Sequence, residues 1–82
     1  MASAKTRTYR ELDVIPVPEA IPEIGVKAGD EGTVDTVYDG GRMVSVEMSS
    51  GDGRGFAFVD LRIEGPSGEP VVAGYTPIGN QT

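Results

Sequence analysis

Glycine and proline interrupt this chain so often that a long helix has no room over most of its length. Past Ile15 the longest stretch free of both is nine residues, short of the roughly 11 to 12 of a mean globular helix. The twelve Gly and six Pro are spread through 82 positions rather than gathered in one linker. A helical bundle is therefore excluded, and short strands joined by turns remain. A chain of this length makes one domain, because either half alone falls near the size where a core no longer sustains folding.

Residues 42–50 carry the clearest strand: Val44, Val46 and Met48 fall on one face and Ser45 and Glu47 on the other, the period of a half-buried strand. Residues 33–39 are rich in β-branched and aromatic side chains. Asp39-Gly40-Gly41 behind them supplies the positive φ angles of a tight hairpin, so the two strands pair antiparallel. Residues 55–63 form a third strand after the turn cluster Ser49-Ser50-Gly51-Asp52-Gly53. Residues 12–17 read as a short edge strand, since Pro16 and Pro18 lack donors for a central position. Residues 20–30 form a loop anchored by Ile21, Ile24 and Val26 that packs over an open end of the sheet. Only residues 2–12 leave space for a helix, and a short one. The expected core contains Val34, Val44, Val46, Phe58 and Leu61, with Phe56 and Phe58 sharing the core face of the third strand.

Composition divides the chain into three parts: a mobile basic arm at residues 1–11, a β domain at 12–63 and a Gly/Pro-rich tail at 64–82. The tail holds four large apolar residues in nineteen, Val71, Val72, Tyr75 and Ile78, too few to order it by burial alone. It is either mobile or pinned as an added strand through residues 71–73, on its own sheet or on that of a second copy in a dimer.

Charge narrows the partners. The formal net charge is −6, yet the first ten residues hold Lys5, Arg7 and Arg10 and no acid; the rest has thirteen acids against four bases, a net of −9. Such a body repels a phosphate backbone and suits a partner protein with a basic surface. With no Cys and no His, thiol nucleophiles, zinc–thiolate sites and the usual general base are missing. The sequence calls for no cofactor and no metal. No apolar run approaches the roughly 18 residues of a membrane span, and residues 1–10 lack the apolar segment of a signal peptide, so a cytoplasmic location is expected.

One stretch carries a resemblance. Asp13-Val14-Ile15 is followed by Ile21-Pro22-Glu23-Ile24-Gly25-Val26-Lys27-Ala28-Gly29-Asp30-Glu31-Gly32-Thr33-Val34. This resembles a family of small bacterial proteins of unknown function with a "leucine-proline-glutamate, any residue, glycine-leucine" loop, then "glycine-aspartate, any residue, glycine-threonine-valine". Ile21 and Val26 stand in for the two leucines, conservative in volume. The resemblance covers residues 12–63 and implies an all-β fold, a small SH3-like barrel of about five strands, in which Gly29 and Gly32 let the chain turn and bend. It implies no activity.

Arg54-Gly55-Phe56-Ala57-Phe58-Val59-Asp60-Leu61 is similar to the RNA-recognition-motif signature at every position except the last. In that fold the aromatics stack on unpaired bases. The two helices it needs cannot cross the breakers on either side. Gly51-Asp52-Gly53-Arg54-Gly55 joins two strands without a following helix to meet a phosphate, so it reads as a hairpin turn. Asp30, Glu31, Asp35 and Asp39 lack the spacing of a calcium loop and read as a solvated face. Nothing in the sequence brings Asp52 and Asp60 together as a carboxylate pair. The expected function is a non-catalytic protein-interaction module or accessory subunit, with Arg54, Phe56, Tyr38 and Tyr75 as partner-binding residues. The alternative is single-stranded RNA or DNA binding through Arg54, Phe56 and Phe58.

Overall fold

The computed structural model describes residues 8–78. Five strands, β1 (Val14–Pro16), β2 (Glu31–Tyr38), β3 (Met43–Ser49), β4 (Gly55–Glu64) and β5 (Glu69–Pro77), follow one another in a single sheet, each antiparallel to the next. The sheet curls into a half-barrel whose edges are β1 and β5. Among the described residues the only helical pieces are single 3-10 turns at Pro22–Ile24 and Asp39–Gly41. The helix expected over residues 2–12 falls partly on residues 1–7, outside the described ones, as do Lys5 and Arg7 of the basic arm. Residues 8–12 are irregular and end in a turn with Leu12 at φ 76°.

The core lies against the inner face of β1–β4. On β3 the buried residues are Val44, Val46 and Met48, and the register sets them opposite Leu61, Val59 and Ala57 of β4, all fully buried. This register corrects the expectation for Phe58. Side chains alternate along a strand, so burying Ala57, Val59 and Leu61 turns Phe58 to the outer face, where it is half-buried and outside the core. The physical reason lies in β4 itself. Its odd phase, Ala57-Val59-Leu61-Ile63, is uniformly apolar, whereas the phase of Phe58 continues through Asp60 and Arg62.

The loop after β1 closes one end of the core. Ile21 and Val26 are buried and bridge to each other around the Pro22–Ile24 turn, and Gly25, left-handed at φ 75°, ends it. They pack with Ile15, Val17 and Val34. Gly32 is needed for a different reason than bending. It is buried in β2, and a Cβ there would stand 2.7 Å from Met48 Sδ and 2.9 Å from Val46 Cγ2. The β2–β3 hairpin does use positive φ, at Asp39, Gly40 and Gly41.

Residues of the Gly/Pro-rich tail form β5, paired along β4 from Glu64↔Glu69 to Ala57↔Pro77 with a bulge at Ala73. No β5 side chain is buried. Its prolines sit where a donor is not needed. Ile78 N–H donates to Phe56 O at 3.0 Å, so by antiparallel alternation the neighbouring Pro77 points its main-chain nitrogen away from β4. Ile63, opposite Pro70, donates instead to Arg42 O on the β3 side at 2.7 Å. At the other edge Val17 N–H donates to Asp30 O at 2.8 Å, which leaves Pro16 facing outward. Both edges thus carry prolines at outward donor positions, which blunts them against further strand pairing.

Candidate functional site

The outer face of β3 and β4 brings together Tyr38 and Phe58, two of the residues singled out in the sequence, with Asp60. Register places three rows across it. Phe58 stands between Glu47 and Thr76, Asp60 between Ser45 and Gly74, and Arg62 between Met43 and Val71; Tyr38 of β2 extends the last row beside Met43. Met43, Ser45, Glu47, Phe58, Asp60, Val71 and Gly74 are each half-buried, so the face is neither a core nor a freely solvated surface. Ser45 and Gly74 are the small cross-strand neighbours of Asp60, and along β4 it stands between Phe58 and Arg62.

The electrostatics of this face are acidic. Arg62, its one base, pairs with Glu64. The Tyr38 hydroxyl donates to Asp60 Oδ1 at 3.4 Å, a long contact. Desolvation holds the Tyr38 phenol above its ordinary pKa, and the charge of Asp60, the hydrogen bond to it and the charge of Asp39 add to the rise.

The residues expected to bind a partner are not gathered in one place. Tyr38 lies on the outer face, 41% exposed. Phe56 lies near the opposite end of β4, about 20 Å from the Arg62 row at ~3.3 Å per strand residue, and Arg54 precedes that strand in the turn. Phe56 occupies a bulge between the Met48↔Ala57 and Ser49↔Gly55 pairs, and it packs against the margin of the core. Arg54 is exposed in the turn, its N–H donating to Asp52 Oδ1 at 3.1 Å and its carbonyl accepting from Ser50 N–H at 2.9 Å. Tyr75 is opposite Val59 on edge strand β5 and therefore leans to the inner side, 39% exposed. Phe56 and Phe58 have different surroundings, one beside the core and the other beside Glu47.

Asp52 and Asp60 are likewise apart. Asp52 is engaged within the β3–β4 turn, where the Ser50 hydroxyl, then the Arg54 N–H, hold its carboxyl below the usual value. Asp30 accepts from Lys27 N–H and Asp35 from the Thr36 hydroxyl, each at 2.9 Å. No group of three or more acids converges on a metal position among the described residues. No helix among them is long and apolar enough to cross a membrane.

Residues 11–65 match a family model described as Domain of unknown function (DUF4926). The chain belongs to that family. The DUF4926 stretch contains β1 to β4 and ends at Gly65, so Tyr38, Phe58 and Asp60 lie inside it while Val71, Gly74 and Tyr75 lie beyond. No curated protein and no solved structure matches the chain. The signal for Asp60 and Phe58 was present in the sequence as the phase of β4: an acid and a base interrupt one alternate set and not the other.

Proposed function

We propose that this DUF4926 protein is a non-catalytic interaction module with an SH3-like half-barrel, and that its outer β3–β4 face docks a protein segment rich in basic and apolar side chains. The observation that carries this reading is Asp60, half-buried on the outer face, accepting from the Tyr38 hydroxyl and without an ion-pair partner among the described residues, since its neighbour Arg62 pairs with Glu64. A lysine or arginine of the partner would complete it while the partner's apolar groups cover Phe58, Met43 and Val71 on the same face. The net charge of −9 outside the first ten residues draws such a segment in. Blunted edges favour docking on the face over strand addition. Phe58, lying off the core, also supports the second reading, stacking on a single-stranded nucleic acid. Glu47 and Asp60 on the same face oppose it.

Fluorescence anisotropy separates the two. A labelled lysine-rich peptide should bind saturably and more weakly as salt rises, and a glutamate-rich peptide of equal apolar content should not. Asp60→Asn should weaken binding more than Asp52→Asn, which removes the same charge from the distant turn. Equal effects of the two variants would reduce the interaction to general attraction. Saturable binding of a mixed-sequence RNA that is lost in Phe58→Ala would replace the protein partner with nucleic acid.

A further inference from the structure

At the end of the half-barrel formed by the β2–β3 and β4–β5 turns lies a cavity of about 520 Å³, within the usual range for small-molecule sites. Its strand-borne lining residues, Val37 and Ile63, pack toward the core, in the phase opposite to Tyr38 and Arg62 of the outer face. Its walls combine two chemistries. Tyr9, Val37 and Ile63 are half-buried groups packed against the core, and the Tyr9 hydroxyl donates to Gly68 O at 3.1 Å, which ties the segment before β1 to the β4–β5 turn. The rest of the described lining is Thr8, Arg42 and the four turn glycines Gly40, Gly41, Gly65 and Gly68, whose positive φ goes with no side chain to fill the space.

The charge of the lining runs against the composition of the body. Among the described residues of the lining Arg42 is the only charged one and none is an acid, although acids outnumber bases thirteen to four past residue 10. Arg42 is exposed and has no ion-pair partner among the described residues. The planar guanidinium fork matches a carboxylate in two parallel hydrogen bonds. The one positive charge that Arg42 supplies matches one carboxylate in an otherwise acidic body.

We propose that this cavity binds a small molecule with a short apolar body ending in a carboxylate, Arg42 taking the carboxylate and Tyr9, Val37 and Ile63 contacting the body. The site is independent of the outer-face reading, and neither depends on the other.

Amide proton–nitrogen correlation spectra of the full chain test it, with hexanoate as the probe and hexanamide as its uncharged counterpart. Hexanoate should shift the Gly40, Gly41, Gly65 and Gly68 signals saturably, and hexanamide should bind at least about ten-fold more weakly, the loss expected without the charge-assisted pair. Arg42→Gln should lose the same factor for hexanoate and nothing for hexanamide. Equal affinity for the two probes, unchanged hexanoate binding in Arg42→Gln, or shifts that never saturate would each overturn the proposal. The comparison of probes on the unmodified chain holds even if the variant disturbs its turn.

Discussion

β3 and β5 flank the same strand in the same antiparallel sense, yet they are held to it by different forces. β3 sets Val44, Val46 and Met48 against Leu61, Val59 and Ala57, and all six are buried. β5 meets the same three residues with Val72, Tyr75 and Pro77, and none of these is buried. The reason is where the curl of the sheet closes. Ile21 and Val26 of the loop share one buried cluster with residues of β1 to β4, and only Val72 of β5 packs against that core. Backbone pairing alone therefore supplies most of what keeps β5 in place, and the DUF4926 match stops before it. A strand can be well ordered in a ladder while contributing little to the hydrophobic core.

The strongest way to break this comparison is to remove one side of it. A chain ending at Glu64 should keep a cooperative melt and its β circular dichroism, at a lower melting temperature. It should also self-associate with rising concentration in sedimentation, because β4 becomes an unblunted edge. Complete unfolding would show that β5 is as integral as β3.

Point substitutions come next. Leu61→Ala should cost about 2–5 kcal/mol in urea unfolding, as truncations in a closed core do. Val72→Ala, half-buried at the margin, should cost about 1 kcal/mol. Similar losses would mean that the core extends under β5.

Glycines sharpen the same contrast with a smaller effect. At Gly32 an added methyl meets Met48 and Val46 of the closed core, so Gly32→Ala should cost about 1–3 kcal/mol by overpacking. Gly74 on β5 has open space around the same methyl, and Gly74→Ala should change stability by no more than about 0.5 kcal/mol. A large loss at Gly74 would reveal packing on the outer face that the strand comparison omits.

The smallest expected effects are titrations at opposite ends of the sheet. The Tyr38 phenol should titrate above its ordinary value near 10, and Asp60→Asn should bring it back down, both followed by tyrosine ring carbon shifts. Raised in the folded state, this group favours folding below the unfolded value and loses that contribution as pH climbs through the folded one. Asp52 has the opposite sign. Its lowered pKa favours folding above about 4 and the benefit disappears as pH falls through the folded value, so Ser50→Ala should flatten the acid limb of the melting curve.

Much of the half-barrel is legible residue by residue. Val44-Ser45-Val46-Glu47-Met48 declares both a strand and its buried face, and Asp39-Gly40-Gly41 declares the turn that pairs it backwards onto β2. The anchors Ile21 and Val26 declare that the loop between them is packed rather than solvated. Phe58 is the instructive miss. Two aromatic rings in a strand suggest a core, but Asp60 and Arg62 follow in their phase, and burying two charges costs far more than leaving one ring half-exposed. In the sequence Gly32 suggests backbone freedom, but its missing side chain is what matters, a difference visible only once Met48 and Val46 lie against it.

Local chemistry settles what each segment is: glycine and proline forbid long helices, alternation selects strands, and positive-φ residues place the turns. It also settles that the body is acidic and carries neither thiol nor imidazole. Which surfaces those segments make together is settled by pairing across long separations in sequence. Tyr38 meets Asp60 from 22 residues away and Tyr9 meets Gly68 from 59 residues away, through a register that no local window contains. Even the tail follows this rule, since its composition alone leaves it too poor in apolar side chains to order. It becomes a strand because β4 presents a row of main-chain donors and acceptors that would otherwise lack partners in the sheet.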